Sequence, residues 1–290
     1  MAAPPKASVP QWDETSAAGH ASLTGNALRL YQQLDQMFLR WAGAYGAQEY
    51  QFPGVIAARH LQQLEYFSNF PHLATFPVAL DPNPDNLDQL QNRISAGELG
   101  ELQPTQLVLT PAACYHFYPA LQGQSLPGPL FVTTRGHCYR REDHYQPLQR
   151  QWQFSMRELV CLGTAEEVTA FINEQDGNLR RWLKELGLPV KFEIATDPFY
   201  QPETQPKALA QRLDPVKTEI VYGETLAIGS INLHRNYFGE NFQIKRQGNF
   251  AFSACVAFGL ERWVFALLDH FGAEPEGWPD MAAVGSGEQS

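Results

Sequence analysis

The segment from Cys138 to Gly163 constrains the fold of this chain more than any other part of the sequence. It reads as a strand, a short polar turn and a second strand. Within the second strand, the run WQFSMR at 152–157 alternates bulky apolar with polar side chains, which is the period of a pleated strand. The segment therefore predicts an antiparallel hairpin that presents one row of side chains to each face of a sheet.

Three residues of this hairpin have the chemistry to bind a nucleotide. Arg140 and Glu142 end the first strand, and Phe154 lies on the second. A guanidinium can bind phosphate, an aromatic ring can stack on a base, and a carboxylate can accept a hydrogen bond from an exocyclic amine. Arg140 and Glu142 alone would indicate only a salt-bridged surface hairpin, and the second strand makes nucleotide binding the better interpretation.

These residues resemble the second signature motif of class II aminoacyl-tRNA synthetases. Residues 150–160, RQWQFSMRELV, are similar to the corresponding strand of the seryl enzyme. Residues 258–262, FGLER, resemble the third motif, a glycine-containing turn from a strand into a helix that carries an arginine. The resemblance implies that ATP, with magnesium, is bound by Arg140, Glu142, Phe154 and Arg262, and that Arg140, Glu142 and Arg262 are catalytic.

The order of predicted elements agrees with that family's fold. An amphipathic helix at 25–45 precedes an extended segment that ends at Pro53, and this pair resembles the first motif, which implies a homodimer interface. A second helix is predicted at 165–186, between Thr164 as its N-cap and Gly187. Strands outnumber helices, which predicts an α+β fold with an antiparallel sheet flanked by helices, and the resemblance implies that this is the class II synthetase catalytic fold. No G-x-G-x-x-G or P-loop sequence offers another nucleotide site.

Domain boundaries follow from the same pattern. We expect a flexible tail at residues 1–24, one class II synthetase-like catalytic domain at 25–273, and a second flexible tail at 274–290. No apolar run is long enough to span a membrane, and the N-terminus lacks a secretory pattern. A cytoplasmic location with reduced cysteines is therefore expected.

The resemblance also implies a metal centre. Cys114, Glu158 and Cys255 lie in three segments that the family brings to one pocket, and the atypical, methanogen-type seryl enzymes hold zinc with Cys, Glu and Cys. Two thiolates and a carboxylate suit zinc and leave a fourth position open for a substrate amine. Sequence spacing alone would not reveal this site. Cys138 and Cys161 are instead interpreted as core residues of strands.

Further substrate contacts are implied at Glu158, Asp197, Ser230 and Asn232. For Asp197, which follows a strand in TDPFY, substrate contact and a structural role both remain open. The histidines, His234 among them, are interpreted as structural residues, which is the more frequent role of a lone histidine.

Charge and length bear on the acceptor of the activated amino acid. The net charge is -10, which disfavours a broad binding surface for tRNA. Only about 24 residues precede the first predicted helix, so the large tRNA-gripping module of the seryl enzymes is expected to be absent. This combination resembles the amino acid:[carrier protein] ligases, which activate a small amino acid with ATP and transfer it to the phosphopantetheine thiol of a holo acyl carrier protein. Glycine or alanine is favoured.

Alternatives remain open. Lys207 and Arg212, on a possible short helix, could form a docking patch for an acidic carrier protein or simply a solvated helix face. A catalytically silent regulatory or binding protein would require the loss of Arg140, Glu142, Phe154 or Arg262, and all four are present. A tRNA synthetase core that uses a separate tRNA-binding partner is the third possibility.

Overall fold

The computed structural model describes residues 19–280 of the 290-residue chain. In that range the strands are β1 Gln48–Tyr50, β2 Val55–Ala57, β3 Val78–Leu80, β4 Leu102–Pro104, β5 Leu107–Leu109, β6 Ser125–Leu126, β7 Leu130–Tyr139, β8 Gln153–Gly163, β9 Val190–Ile194, β10 Lys217–Tyr222, β11 Leu226–Arg235, β12 Lys245–Arg246, β13 Asn249–Phe250 and β14 Phe252–Gly259.

The α-helices of the same range are α1 Gly25–Gly43, α2 Ala58–Gln63, α3 Tyr66–Asn69, α4 Pro84–Ser95, α5 Phe117–Ala120, α6 Ala165–Leu186, α7 Pro206–Leu213, α8 Tyr237–Asn241 and α9 Leu260–Phe271. Short 3-10 turns occur at Pro71–Leu73, Ala113–His116 and Pro275–Gly277. Among these described helices, none is both long and apolar enough to cross a membrane.

A seven-stranded sheet organises the molecule, with strand order β1-β7-β8-β14-β11-β10-β9. Only β1 runs parallel to its neighbour, β7, and the other five pairs are antiparallel. The predicted hairpin is the β7–β8 pair, in which Cys138 lies opposite Phe154. The α+β prediction, an antiparallel sheet flanked by helices, is therefore confirmed.

Helices α1, α6 and α9 cover one face of this sheet and form the larger hydrophobic core. Phe38 of α1 stacks on Phe258 of β14 with 3.8 Å between ring centroids, and Trp263 of α9 meets Phe38 edge-on. Side chains alternate along each strand. Leu159 and Cys161 of β8 consequently face this core, while Glu158 and Val160 point to the opposite face, where the cavity described below lies. Cys138 and Cys161 are both fully buried in their strands, as predicted.

Helix α6 has the bounds that the sequence predicts because both of its ends are specified locally. The side-chain oxygen of Thr164 accepts from the backbone N–H of Glu167, and the Glu167 carboxylate accepts from the backbone N–H of Thr164. This reciprocal capping box satisfies two helix donors that otherwise lack partners. At the other end Gly187 adopts a left-handed conformation, with φ 71°, which a glycine accommodates without a steric penalty.

The ends of the described range contact the body of the protein. The carbonyl of Gly19 accepts from the backbone N–H of Trp152 at 2.8 Å, and Ala21 and Leu23 pack against the larger core. Trp278 also packs there and donates from its indole to the carbonyl of Gly272 at 3.0 Å. These residues fall in the segments for which flexible tails are predicted, and the remainder of those tails, 1–18 and 281–290, lies outside the described residues.

A buried ion-pair network fixes α1 to the sheet. Arg157 of β8 and Asp35 of α1 are each 3% exposed, and Arg157 Nε donates to Asp35 Oδ1 at 2.8 Å. Arg157 also donates to Glu49 of β1, and Arg135 of β7 donates to the second oxygen of Asp35. Charges removed from water are stable only when they remain paired.

We expect Asp35→Ala to lower the free energy of unfolding by about 3 kcal/mol, because it leaves the Arg157 guanidinium buried without its main partner. Urea denaturation measures this. The matched control is Asp176→Ala, which removes the exposed pair with Arg180 on α6 and should cost less than about 1 kcal/mol. Equal losses for the two variants would contradict this account of the network.

Candidate active site

A cavity of about 470 Å³ lies on the sheet face opposite α1, α6 and α9. The central strands line it with alternate residues. Met156 and Glu158 come from β8, Ser230 and Asn232 from β11, and Cys255 from β14. Because the side chains of a strand alternate between faces, the same three strands that bury apolar residues in the core place these groups in the cavity.

One part of the cavity is cationic and aromatic. The guanidinium of Arg140, just after β7, lies 5.2 Å from the ring centroid of Phe154, which also lines the cavity. Arg140 Nε donates to the carbonyl of Pro111 at 3.0 Å, which orients the group and leaves its two terminal nitrogens for a ligand. Glu142 lines the same region and accepts from Arg150 at 2.7 Å.

Arg262, in the first turn of α9, lines the cavity and completes this cationic region. Its Nε donates to the carbonyl of Gln149 at 2.6 Å, and Nη1 donates to that of Ala227 at 2.8 Å. Burial, together with the nearby charges of Arg140 and Arg150, lowers the pKa of Arg262 to about 10. Neighbouring guanidinium groups repel one another, and a bound anion between them relieves this repulsion. The arrangement therefore suits a polyphosphate.

A second cluster of side chains has the donor set of a metal centre. The sulphur atoms of Cys114 and Cys255 and a carboxylate oxygen of Glu158 all lie within 4.8 Å of one another. All three residues are buried, and the carboxylate of Glu158 is oriented by the backbone N–H of Cys114, which donates to Oε1 at 3.0 Å. Two sulphurs and one oxygen fit zinc with one coordination position left for a substrate.

Electrostatics in this cluster favour a bound cation. Burial and the nearby charge of Cys255 raise the pKa of Glu158 to about 8. The hydrogen bond to Cys255, followed by burial, raises the pKa of the Cys114 thiol well above its ordinary value. The hydrogen bond with Cys114, together with the contacts of His234 and Asn232, instead lowers the pKa of the Cys255 thiol well below its ordinary value. One negative charge on Cys255 therefore disfavours ionisation of Glu158 and Cys114 unless a positive charge compensates it, so the residues present fit the zinc that the resemblance implies.

The remaining predicted substrate contacts also line the cavity. Ser230 Oγ accepts from Asn232 Nδ2 at 2.9 Å. Asp197 accepts from Gln211 at 2.9 Å and forms an ion pair with Lys217 at 3.4 Å. Asp197 thus has protein partners while facing the cavity, and substrate contact at Asp197 stays a prediction.

The two predicted docking residues are arranged differently on α7. Lys207 lines the cavity, where its ammonium group pairs with Glu65 and lies 4.8 Å above the ring of Tyr237. Arg212 is exposed and lies five residues later, which is about 140° around a helix. The helix therefore turns the two charges to different sides, and docking of a carrier protein by Lys207 and Arg212 stays a prediction.

Sequence reasoning did not select three other polar groups of the cavity. The hydroxyl of Tyr66 and the side-chain amide oxygen of Gln151 are buried without a protein partner among the described residues. His234 lies on β11 beside Cys255. The signal that would have found His234 is the alternation S-x-N-x-H at 230–234, which puts it on the same strand face as Ser230 and Asn232.

Comparisons with known proteins agree with this geometry. The family model for the tRNA synthetase class II core domain (G, H, P, S and T) matches residues 101–271, a range that contains Cys114, Arg140, Glu158, Cys255 and Arg262. The chain is 32% identical over 244 residues to amino acid--[acyl-carrier-protein] ligase 1 of Bradyrhizobium diazoefficiens, which covers 81% of this chain and 74% of the relative. A second such ligase of that organism is also 32% identical, over 238 residues.

Synthetases are more distant relatives. The type-2 serine--tRNA ligase of Methanopyrus kandleri is 28% identical over 258 residues, which cover 79% of this chain and 49% of that protein. This chain thus spans about half the length of that relative.

Solved structures share the fold. The seryl-tRNA synthetase of M. kandleri, solved with A. aeolicus tRNASec, superimposes with a TM-score of 0.78 at 24% identity and covers 93% of this chain and 56% of that chain. The seryl-tRNA synthetase of Pyrococcus horikoshii, solved with ATP, gives 0.65 at 13% identity, with 94% and 58% covered. The predicted class II fold is confirmed. With the sequence relatives, these matches show that the chain belongs to the class II aminoacyl-tRNA synthetase-like proteins and, among them, to the amino acid--[acyl-carrier-protein] ligase enzymes.

Proposed function

We propose that this enzyme activates a small amino acid with ATP and transfers the aminoacyl group to the phosphopantetheine thiol of a carrier protein. The observation that carries the proposal is that one cavity holds both the Arg140–Phe154–Arg262 region and the Cys114–Glu158–Cys255 cluster. The first suits the phosphates and base of ATP, and the second suits a metal that binds an amine.

The arginines act by charge and position. Arg140 binds the α-phosphate while a carboxylate oxygen of the amino acid attacks its phosphorus, and the bond from that phosphorus to pyrophosphate breaks. Arg262 holds the pyrophosphate that leaves, and Phe154 stacks on the adenine. Glu142, held by Arg150, is oriented to accept from the base. Magnesium accompanies ATP in this proposal, as class II synthetases use it. Such a reaction requires positioned charge and no protein nucleophile.

Cys114, Glu158 and Cys255 would hold zinc. The bound ion supplies an open coordination position for the amino group of the substrate. The protein contributes the orientation of the ligands, since the backbone N–H of Cys114 fixes Glu158, and the exclusion of water, since all three side chains are buried. Asp197, Ser230 and Asn232 line the space where the amino acid would lie. Glycine or alanine is the proposed substrate.

The names of the first two relatives support a carrier protein as the acceptor. The net charge of -10 also supports an acceptor other than tRNA, because tRNA binding favours a basic surface. In the transfer step the phosphopantetheine sulphur forms a bond to the acyl carbon of the adenylate and AMP leaves, so a thioester replaces the mixed anhydride. A homodimer built through α1 and the β1 segment remains part of the proposal.

The purified chain should catalyse pyrophosphate exchange only with small amino acids when all twenty are tested one at a time. With the best substrate, radiolabelled amino acid should be transferred to a carrier protein that has its phosphopantetheine attached. The same carrier before that modification ends in a serine hydroxyl and should stay unlabelled, because the proposed transfer needs a thiol.

Three outcomes would contradict the proposal in different ways. An absence of exchange with every amino acid would indicate a regulatory or binding protein. Exchange with efficient labelling of tRNA and none of the modified carrier would indicate a tRNA synthetase core. Exchange that is fastest with a large amino acid would leave the reaction intact and overturn the substrate size.

A further inference from the structure

Strand β11 brings two nitrogen donors to one sulphur of the candidate metal centre. Asn232 of β11 lies opposite Cys255 of β14 in the sheet register, and its Nδ2 donates to Cys255 Sγ at 3.3 Å. The Nε2 atom of His234, two residues further along, lies 3.5 Å from the same sulphur. Cys255 is only 3% exposed, so these side chains take the place that water would occupy beside an exposed thiolate.

The surroundings of the His234 ring determine which nitrogen carries its proton. The other ring nitrogen, Nδ1, lies 3.2 Å from the hydroxyl of Tyr118 and 3.1 Å from that of Ser253. Both hydroxyls are buried, and each has one proton to donate. An unprotonated Nδ1 is an acceptor for these hydroxyl protons. If Nδ1 were protonated, neither hydroxyl could donate to it, and both buried protons would need acceptors elsewhere.

The second ring nitrogen gives the same answer. With Nδ1 as an acceptor, a neutral imidazole carries its proton on Nε2, and that N–H points at Cys255 Sγ. A thiolate accepts such a hydrogen bond, whereas the alternative tautomer would place a nitrogen lone pair against a negatively charged sulphur. A protonated Nε2 also has no lone pair for a metal. The distances independently leave His234 out, because the three candidate ligand atoms within 4.8 Å of one another belong to Cys114, Glu158 and Cys255.

We propose that His234, assisted by Asn232, is a positioning residue that holds the Cys255 sulphur and withdraws charge from it, while the fourth coordination position stays open for substrate. This inference rests on the proposed function, because it assumes that the cluster binds zinc. Hydrogen bonds to a ligand sulphur fix its direction and weaken its electron donation, which leaves the metal a stronger Lewis acid for the incoming amine.

The test uses the full chain with His234→Ala and His234→Gln, since the glutamine amide retains an N–H that can reach the sulphur. The control is His137→Ala, which removes an exposed histidine of β7 outside the cavity lining. Zinc affinity is measured by competition with a chromophoric chelator. Cobalt(II) substitution then reports the coordination number from the visible bands and the charge on sulphur from the near-ultraviolet charge-transfer band.

We expect His234→Ala to bind zinc roughly 10- to 100-fold more weakly and to shift the sulphur-to-cobalt band to lower energy, with an unchanged coordination number. His234→Gln should recover part of both effects, and His137→Ala should match the wild type. The Gln variant keeps the test valid if the Ala variant does not fold, which circular dichroism detects.

Two results would overturn the inference while leaving the metal site intact. In the first, His234→Ala and His234→Gln both retain the wild-type zinc affinity and charge-transfer energy. In the second, X-ray absorption of the wild-type zinc form finds an imidazole nitrogen bound to the metal, which would make His234 a ligand. A wild-type chain that binds neither zinc nor cobalt would instead overturn the proposed metal site and, with it, this inference.

Discussion

Replacing Arg140 with alanine should lower amino-acid-dependent pyrophosphate exchange by roughly 10³-fold, while the fold and the metal content stay unchanged. The side chain lines the cavity beside Phe154, and its only hydrogen bond to the described protein is made by Nε. Its terminal nitrogens can therefore face the phosphate on which negative charge is redistributed during adenylate formation. A preorganised cation of this kind contributes mainly in the transition state, so kcat should fall more than KM rises.

Arg141→Ala is the matched control for this prediction. Arg141 is the next residue along the chain, has the same side chain and is exposed away from the cavity lining. Its variant should exchange pyrophosphate at nearly the wild-type rate. If Arg140→Ala were as active as Arg141→Ala, the class II mechanism proposed for this cavity would be wrong.

Replacing Cys255 with alanine should remove the metal and amino-acid activation together. The wild-type chain should contain about one zinc, measured by plasma emission, and the variant close to none, because a carboxylate and one thiolate are a poor zinc site. Activation should fall with the metal, since the amine loses its anchor. Loss of zinc with normal activation would mean that the metal has another role.

The matched control for Cys255→Ala is Cys161→Ala. Cys161 is also fully buried in the same sheet, but it faces the apolar core rather than the cavity. Its variant should keep both zinc and activity.

The affinity of the wild-type chain for zinc should fall as the pH is lowered, because the metal must displace the proton of the Cys114 thiol, whose pKa is raised. Below about pH 8 the fall should become steeper, because the Glu158 carboxyl then also carries a proton that the metal must displace. A slope that does not steepen between pH 9 and pH 6 would remove Glu158 from the ligand set.

Local patterns specified several parts of this protein directly. The period of two in residues 152–157 predicted β8, and the Thr164 and Gly187 signals predicted both ends of α6. These features depend on residues only a few positions apart, so they can be recognised without knowing the rest of the fold. The resemblance of Arg140, Phe154 and Arg262 to signature motifs also predicted three residues that share the cavity, although their roles await the experiments above.

Tertiary structure decided what the patterns could not. The backbone of Cys114 reaches the carboxylate of Glu158 across 44 positions, and β14 brings Cys255 to both of them. The tertiary structure also turned Lys207 toward Glu65 and the cavity, on a different side of the helix from Arg212. It placed His234 beside Cys255 as well. The sequence by itself determined elements such as β8 and α6, because periodicity and capping act locally. Which side chains meet depended on strand register and helix orientation, because these are fixed only when the sheet pairs and the core packs.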